Sequence, residues 1–203
     1  MRSKLFFLSL IIIPFFGTTQ KLDPSLISFD KGFEKYLAHD LDSAKLFFNY
    51  AIRSNNKNLK AHFYLAKIDF ERLNYDSALR KFEILSAKDW DSAGYSQKFW
   101  NMVRRTMAHA YYASHLQCKN ESHLKEALNV IKSALDESKC EAETHYIHSM
   151  ILTEMDKRKK AIKALKKAIY ANPKMDEAYV KIATLEDSRL ESILYLTTAS
   201  NYI

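Results

Sequence analysis

A short pattern of small and apolar residues occurs four times along the chain at a nearly constant spacing. The four copies are Ala44-Phe48-Ala51, Ala78-Phe82-Leu85, Ala127-Ile131-Ala134 and Ala161-Leu165-Ala168. Their first alanines are separated by 34, 49 and 34 residues. A recurring period of this size is typical of solenoids, in which each unit packs only against its neighbours. The pattern therefore predicts an all-α repeat fold, which presents a binding surface more readily than a catalytic cleft.

A second series of small residues supports the same period. Its members are Gly32, Ala66, Ala108, Ser149 and Ala183, which are separated by 34, 42, 41 and 34 residues. Helix axes that pack about 8–10 Å apart leave no room for a large side chain at the crossing point. We therefore expect this series to mark the first helix of each pair, and the alanine blocks to mark the second.

In these residues the chain resembles the tetratricopeptide repeat family. The matches are Leu65-Ala66, Met107-Ala108 with Tyr111, the four alanine blocks and Pro173, and they cover about residues 25–190. The resemblance implies a right-handed α-solenoid of about four helix pairs. We expect the pairs near 25–54, 58–87, 96–138 and 142–171, with a C-terminal cap over 176–203. The sequence departs from the family pattern at Ser28, His62 and His145, where Trp is common, and at Lys35 and Asp69, where Tyr is common.

The N-terminus has the composition of an export signal. Arg2 and Lys4 precede an apolar run over 5–16, and small residues follow at 17–19. We expect cleavage near Thr19, a single mature domain over 20–203, and a periplasmic or secreted protein. An uncleaved anchor is the alternative, although the apolar run is short for a membrane span of about 20 residues. The absence of a Cys near Gln20 argues against a lipid anchor.

Composition argues against an enzyme and against a nucleic-acid partner. The chain has only three glycines, whereas phosphate-binding loops and nucleophile elbows require glycine for tight turns. Its net charge of +7 falls to +5 without Arg2 and Lys4, which is too small to indicate nucleic-acid binding. We predict no catalytic residues and no cofactor.

Cysteines and histidines give no firm site. Cys118 and Cys140 flank a predicted helix that separates them by roughly 24 Å, too far for a disulfide, so we expect both to be unpaired within one chain. An intermolecular disulfide through Cys118 is the alternative. His115, Cys118 and His123 have ligand-like spacing, but a transition metal needs three or four ligands in one place, and we predict no metal site. Extra residues at 88–97 and 115–123 should lengthen the third pair, with Cys118 and His123 beyond the solenoid edge.

The resemblance implies that the first helices line a concave groove. Carried onto this chain, the partner-binding positions are Tyr36, Lys67, Phe70, Arg105, His109, Tyr112, Tyr146 and Met150. Aromatic rings beside cationic side chains can hold a peptide through apolar and cation–π contacts. Phe29, Phe33 and Phe63 also fall on this face, and we interpret them as core. The chaperone-tail clamp of the family uses Lys and Asn where Phe29 and Phe33 stand, so this partner is disfavoured.

Two functions are consistent with such a chain. The first is a non-enzymatic interaction module that holds a peptide segment or helix of an envelope partner in the groove. The second is a scaffold that self-assembles by stacking repeat ends, which would make the chain a homo-oligomer. Membrane contact is conceivable only through the basic face over Lys157–Lys167, which is otherwise a solvated outer face.

Overall fold

A computed structural model describes residues 23–87, 94–137, 141–186 and 188–200. The described residues form ten α-helices in chain order. These are α1 (Pro24–Leu37), α2 (Leu41–Ser54), α3 (Leu59–Glu71), α4 (Tyr75–Ala87), α5 (Gln97–Cys118), α6 (Glu121–Glu137), α7 (Ala142–Glu154), α8 (Arg158–Ala171), α9 (Asp176–Leu185) and α10 (Arg189–Ser200). Each odd-numbered helix packs against the even-numbered helix that follows it, and each pair packs against the next. The expected all-α solenoid is confirmed.

Local sequence determines where the helices begin. Asp23 accepts a hydrogen bond from the Ser25 amide at 2.8 Å and precedes Pro24 in the first turn of α1. Asn58 caps α3 by accepting from the Ala61 amide at 3.1 Å. The Asn58 side chain also donates to the Ser25 hydroxyl at 2.9 Å. One cap therefore starts α3 and ties it to the start of α1.

Four turns within the pairs contain a residue with a left-handed backbone. The residues are His39 (φ 57°), Leu73 (φ 62°), Lys119 (φ 51°) and Asp156 (φ 55°). Glycine usually takes this conformation because it has no Cβ to clash. This chain reverses direction here without glycine, at a conformational cost that the packed helix pairs must offset.

The two series of small residues lie where the helices of a pair meet. Gly32 of α1 is buried against Phe48 of α2, and Ala66 and Ala108 are fully buried in α3 and α5. In the second helices, the four opening alanines are all 0% exposed. Close approach of the paired helices is therefore the physical origin of both sequence periods.

The C-terminal segment that was expected as a cap over 176–203 contains two helices. Helices α9 and α10 pack together as a fifth pair. Tyr195 of α10 packs against the core cluster that contains Leu165, Ala168 and Ile182. The repeat architecture thus continues to Ser200.

The insertion at 115–123 is mostly helical. Helix α5 has 22 residues and ends at Cys118, so the first part of this insertion extends α5. Cys118 is exposed and unpaired, but His123 does not project from the edge. Its Nδ1 lies 2.9 Å from the Ser114 hydroxyl, and its ring packs 5.5 Å from the Tyr111 ring.

Three sequence-based expectations lie outside the described residues. They are the export signal over 1–19, the part of the first insertion (88–97) over 88–93, and the state of Cys140. Within the parts of the chain that are described, no helix combines the length and the apolar character needed to cross a bilayer.

Candidate partner-binding groove

The first helices α3, α5 and α7 of successive pairs contact one another in turn, and the face that they share is named the inner face. Helix α5 contacts both α3 and α7, in addition to its own partner α6. Side chains that α3, α5 and α7 leave uncovered therefore share one face. Seven of the eight predicted groove residues are partly exposed, and Tyr112 is buried at 9% exposure.

Tyr36 belongs to an aromatic cluster that joins α1 to α3. The rings of Tyr36 and Phe33 meet the ring of Tyr64 edge-on, with centroids 5.1 and 5.2 Å away. Tyr64 also stacks on the buried Phe48 at 5.5 Å. This contact fixes the cluster to the core, so its position does not depend on a bound partner.

Lys67 places a cation over the same aromatic cluster. Its ammonium lies 5.1 Å from the Tyr36 centroid and 5.9 Å from the Tyr64 centroid, within cation–π range. It also lies 3.8 Å from a carboxylate oxygen of Glu71. The Tyr36 hydroxyl donates a hydrogen bond to the same oxygen of Glu71. Burial and this bond raise the pKa of Tyr36, so its hydroxyl stays protonated as a donor.

Phe70 and His109 bring the middle of the inner face together. Their ring centroids lie 5.1 Å apart, and the centroid of the Tyr75 ring lies 5.8 Å from that of Phe70. Burial lowers the pKa of His109, so the imidazole is neutral at neutral pH. This part of the face is apolar and uncharged.

Arg105 makes a contact between repeats. Its guanidinium donates to Glu141 at 2.7 Å and lies 3.6 Å from Glu143. Both carboxylates belong to the start of α7. This side chain is therefore already engaged in joining the third and fourth pairs.

The last three predicted residues are placed mainly by packing. Tyr112 is part of the largest core cluster, and Met150 packs against it. Tyr146 packs against the cluster between α8 and α9. Burial raises the pKa of both tyrosines. The structure thus brings Tyr36 and Lys67 together, and Phe70 lies one helical turn from Lys67 on α3.

Two residues of the face were missing from the sequence-based set. Tyr64 contacts Tyr36, and Glu71 binds both Tyr36 and Lys67. A signal for them was present in the sequence, because Tyr64, Lys67 and Glu71 follow the i, i+3, i+7 spacing of one helix face. Among the phenylalanines interpreted as core, Phe63 is 1% exposed, whereas Phe29 and Phe33 are only partly buried.

His115, close to the turn between α5 and α6, has partners within the protein. His115 is 2% exposed, with Nδ1 at 2.9 Å from the Asn120 carbonyl oxygen and Nε2 at 3.4 Å from Glu154. In the described ranges, no group of three or more His, Cys, Asp or Glu side chains is arranged to hold a metal ion.

Comparison with known proteins supports the architecture through structure and not through sequence. No family model matches the chain, and no curated protein does. The solved thermophilic TPR protein TTC0263 from Thermus thermophilus is 22% identical, with a TM-score of 0.69 over 88% of this chain and 91% of that one. For MamA the values are 18% and 0.66 over 89% and 92%.

A third solved structure is YrrB, described as a TPR protein with an unusual peptide-binding site. It is 13% identical, with a TM-score of 0.61 over 88% of this chain and 86% of that one. All three alignments cover most of both chains, and their identities are at a level where only the fold is shared. The fold of this chain is that of the tetratricopeptide repeat proteins.

Proposed function

We propose that the protein is a non-catalytic interaction module that binds a peptide segment or a helix of an envelope protein on its inner face. The observation that carries the proposal is the partly exposed cluster of Tyr36, Tyr64 and Lys67, fixed to the core through Phe48. Rigid aromatic side chains beside a cation are typical anchors of protein interfaces. The similarity of fold to YrrB, which has a peptide-binding site, agrees with this use of a repeat surface.

The chemistry of the cluster indicates what the partner segment contributes. Tyr36 and Lys67 both bind Glu71 in the free protein, so their polar atoms are held in place. The neighbouring Phe70 and His109 rings add an uncharged apolar surface. We therefore expect the partner to insert apolar side chains beside Phe70 and to place a carboxylate or backbone carbonyl near Lys67. The basic start and apolar run at the N-terminus support an exported protein, and hence an envelope partner.

The test is affinity capture from an envelope extract with residues 20–203 as bait. Tyr36→Glu with Phe70→Glu should abolish capture of the partner band while helicity by circular dichroism is retained. The matched control is Tyr50→Glu with Tyr170→Glu, because these side chains are 44% and 86% exposed on second helices. Lys67→Gln, which removes no core atom, should weaken capture. If all variants retained the band equally, the partner would not bind in the groove.

A second function, self-assembly through repeat ends, is favoured by the surface of α10. Its large exposed residues are Leu190 (81%), Ile193 (49%), Leu194 (63%) and Leu196 (48%). Leu190, Ile193 and Leu194 follow the i, i+3, i+4 spacing of one helix face. A terminal repeat of an isolated solenoid needs a polar outer face.

The opposite end of the solenoid also exposes apolar side chains, at Leu26 (55%) and Ile27 (40%) of α1. Contact between α10 of one copy and α1 of another would be head-to-tail and would extend into a filament. Sedimentation at increasing concentration tests this model. Leu190→Glu with Leu194→Glu should convert any oligomer into a monomer, and a wild-type protein that stays monomeric throughout would exclude it.

A further inference from the structure

A cavity of about 520 Å³ lies between α6, α7 and α8, away from the aromatic cluster of the inner face. Leu128, Leu135 and Leu152 supply its apolar lining, and lysines from α6 and α8 supply its charged lining. Its size falls within the range of about 300–1,000 Å³ that is usual for small-molecule sites. The cavity is therefore large enough for a small ligand.

The charges around this cavity are all of one sign among the described residues. Five lysines line it, namely Lys132, Lys157, Lys160, Lys163 and Lys167. Among the side chains that the structure describes, which do not include those of 136 and 137, none of the five lysines pairs with a carboxylate and no carboxylate lines the cavity. By contrast, Lys119 and Lys166, which lie outside it, pair with Glu154 and Glu186. Uncompensated cations around one depression attract an anion.

A histidine nitrogen at this cavity lacks a partner. His148 lines it, and its Nε2 is buried without a hydrogen bond from any residue in the described ranges. Because this nitrogen is shielded from solvent, it does not face the cavity, and other atoms of the ring form its part of the lining. Burial, together with His145, Lys132 and Lys167, lowers the pKa of His148 to about 4. The neutral ring adds no charge to the cavity, so lysines supply its cationic lining.

We propose that this cavity binds the phosphate group of a phosphorylated small molecule or of a lipid headgroup. A phosphate monoester carries close to two negative charges at neutral pH and offers three acceptor oxygens. Several lysines can bind these oxygens together, whereas a single carboxylate would leave most of the cations uncompensated. Leu128 and Leu135 provide an apolar surface for the remainder of the ligand.

The three charged residues best placed for a test lie on one face of α8. Lys160, Lys163 and Lys167 follow the i, i+3, i+7 spacing, and all three are exposed. Their replacement by glutamine therefore removes charge without opening the core. The matched control replaces Lys159, Lys166 and Lys174, which are exposed, do not line the cavity, and change the net charge equally.

Calorimetry of residues 20–203 tests the proposal with inorganic pyrophosphate and octyl phosphate, and with octyl glucoside as the uncharged control. The triple cavity variant should lose at least about tenfold in affinity for both phosphates, which corresponds to about 1.4 kcal/mol. The control triple variant should stay within about twofold, since it keeps the cavity lysines. Binding should also shift the ring resonances of His145 and His148 but not that of His39, which is exposed.

Vesicle flotation distinguishes the two sources of phosphate. Binding to phosphatidylcholine vesicles with a minority of phosphatidic acid, lost in the cavity variant, would identify a lipid headgroup. Binding of octyl phosphate alone would identify a free phosphorylated compound, and either result supports the proposal. Equal weakening in both triple variants, equally tight binding of octyl glucoside, or cavity-dependent binding of a glutamate-rich peptide without phosphate binding would each overturn it. Absence of binding to every phosphate probe would do the same.

Discussion

The hydroxyl of Ser77 donates a 2.7 Å hydrogen bond to the carboxylate of Asp69, which is 3% exposed in α3. Lys81 of α4 also donates to this carboxylate, and Lys45 of α2 lies 3.5 Å away. One buried acid therefore joins the first two repeats. Burial alone would raise the pKa of Asp69, but the bonds from Lys81 and Ser77 and the charges of Lys81 and Lys45 lower it.

We expect Asp69→Ala to lower the free energy of unfolding by about 1–3 kcal/mol, because Ser77 and Lys81 lose their acceptor. Urea denaturation measures this change, with the exposed Glu34→Ala as a control that should stay within about 0.5 kcal/mol. Since the folded-state pKa is depressed, the contribution of Asp69 is present above its unfolded pKa of about 4 and disappears at lower pH. A loss in the mutant that is equally large at pH values well below 4 would contradict the ionic origin.

Gly32 offers a test of the small-residue series. A Cβ at this position would lie 2.8 Å from Cδ1 and Cε1 of Phe48 and 3.2 Å from Cβ of Phe47. Phe48 is 0% exposed, so its ring has no free space to move into. Gly32→Ala should therefore lower stability by about 1–2 kcal/mol, despite a helix-propensity gain of up to about 1 kcal/mol.

The rescue experiment for Gly32→Ala is a double-mutant cycle. In a Phe48→Leu background the added methyl group has more room, and its penalty should shrink or vanish. An undiminished penalty in that background would place the strain elsewhere. Lys31→Ala, an exposed change on the same helix, controls for propensity effects.

The left-handed backbone of Leu73 is less favourable for leucine than it would be for glycine. Its φ is 62° and its side chain is 62% exposed, so little packing is lost on truncation. A left-handed conformation costs an L-residue about 1–2 kcal/mol, and the greater unfolded-state freedom of glycine offsets about 0.4–1 kcal/mol of the gain. Leu73→Gly should thus raise stability by about 0.5–1 kcal/mol.

A matched control for Leu73→Gly is Leu37→Gly in the last turn of α1. Leu37 is 63% exposed but has a helical backbone. The same substitution there should lower stability by up to about 1 kcal/mol. Thermal unfolding of both variants compares them directly, and a change of the same sign in both would disprove the backbone explanation.

The repeat pattern predicted the helix pairs closely because close helix contacts constrain residue size at fixed intervals. Ala44, Ala78, Ala127 and Ala161 are fully buried at such contacts, and the first four pairs fall near their expected bounds. The packing of the C-terminal cap was harder to predict, because α10 carries no copy of the alanine block and exposes its leucines. The extension of α5 to Cys118 depends on partners of His115 in the turn and in α7, which the sequence does not show.

The site was less predictable than the fold for a physical reason. Alignment with the repeat family predicts which face of each first helix belongs to the groove. This prediction selects the region that contains Tyr36, Lys67 and Phe70. It does not indicate which side chains a neighbouring repeat already engages, as Glu141 engages Arg105. It also misses Tyr64, whose role depends on ring contacts with α1 and α2.

His148 makes stability depend on pH above the range in which carboxylates titrate. Burial comes first among the causes that lower its pKa to about 4, followed by the charges of His145, Lys132 and Lys167. The unfolded imidazole has a pKa of about 6.5. Between these values the unfolded chain binds more protons than the folded one, so stability must fall as pH falls through this window. Burial and Lys167 lower the pKa of His145, and burial lowers that of His109. Both shifts also make stability fall as pH falls.

We therefore expect His148→Gln to flatten, without abolishing, the decline of the thermal unfolding midpoint between about pH 6.5 and pH 4. His39→Gln, an exposed change, should leave the decline as it is in the wild type. Lys132→Gln should also flatten it, since removal of a cation that faces His148 from α6 allows the ring to protonate more readily. Identical slopes in the wild type and in His148→Gln would show that the ring is not held neutral by its surroundings. Octyl phosphate bound in the cavity should reduce the wild-type decline in the same way, because a bound anion favours the protonated imidazole.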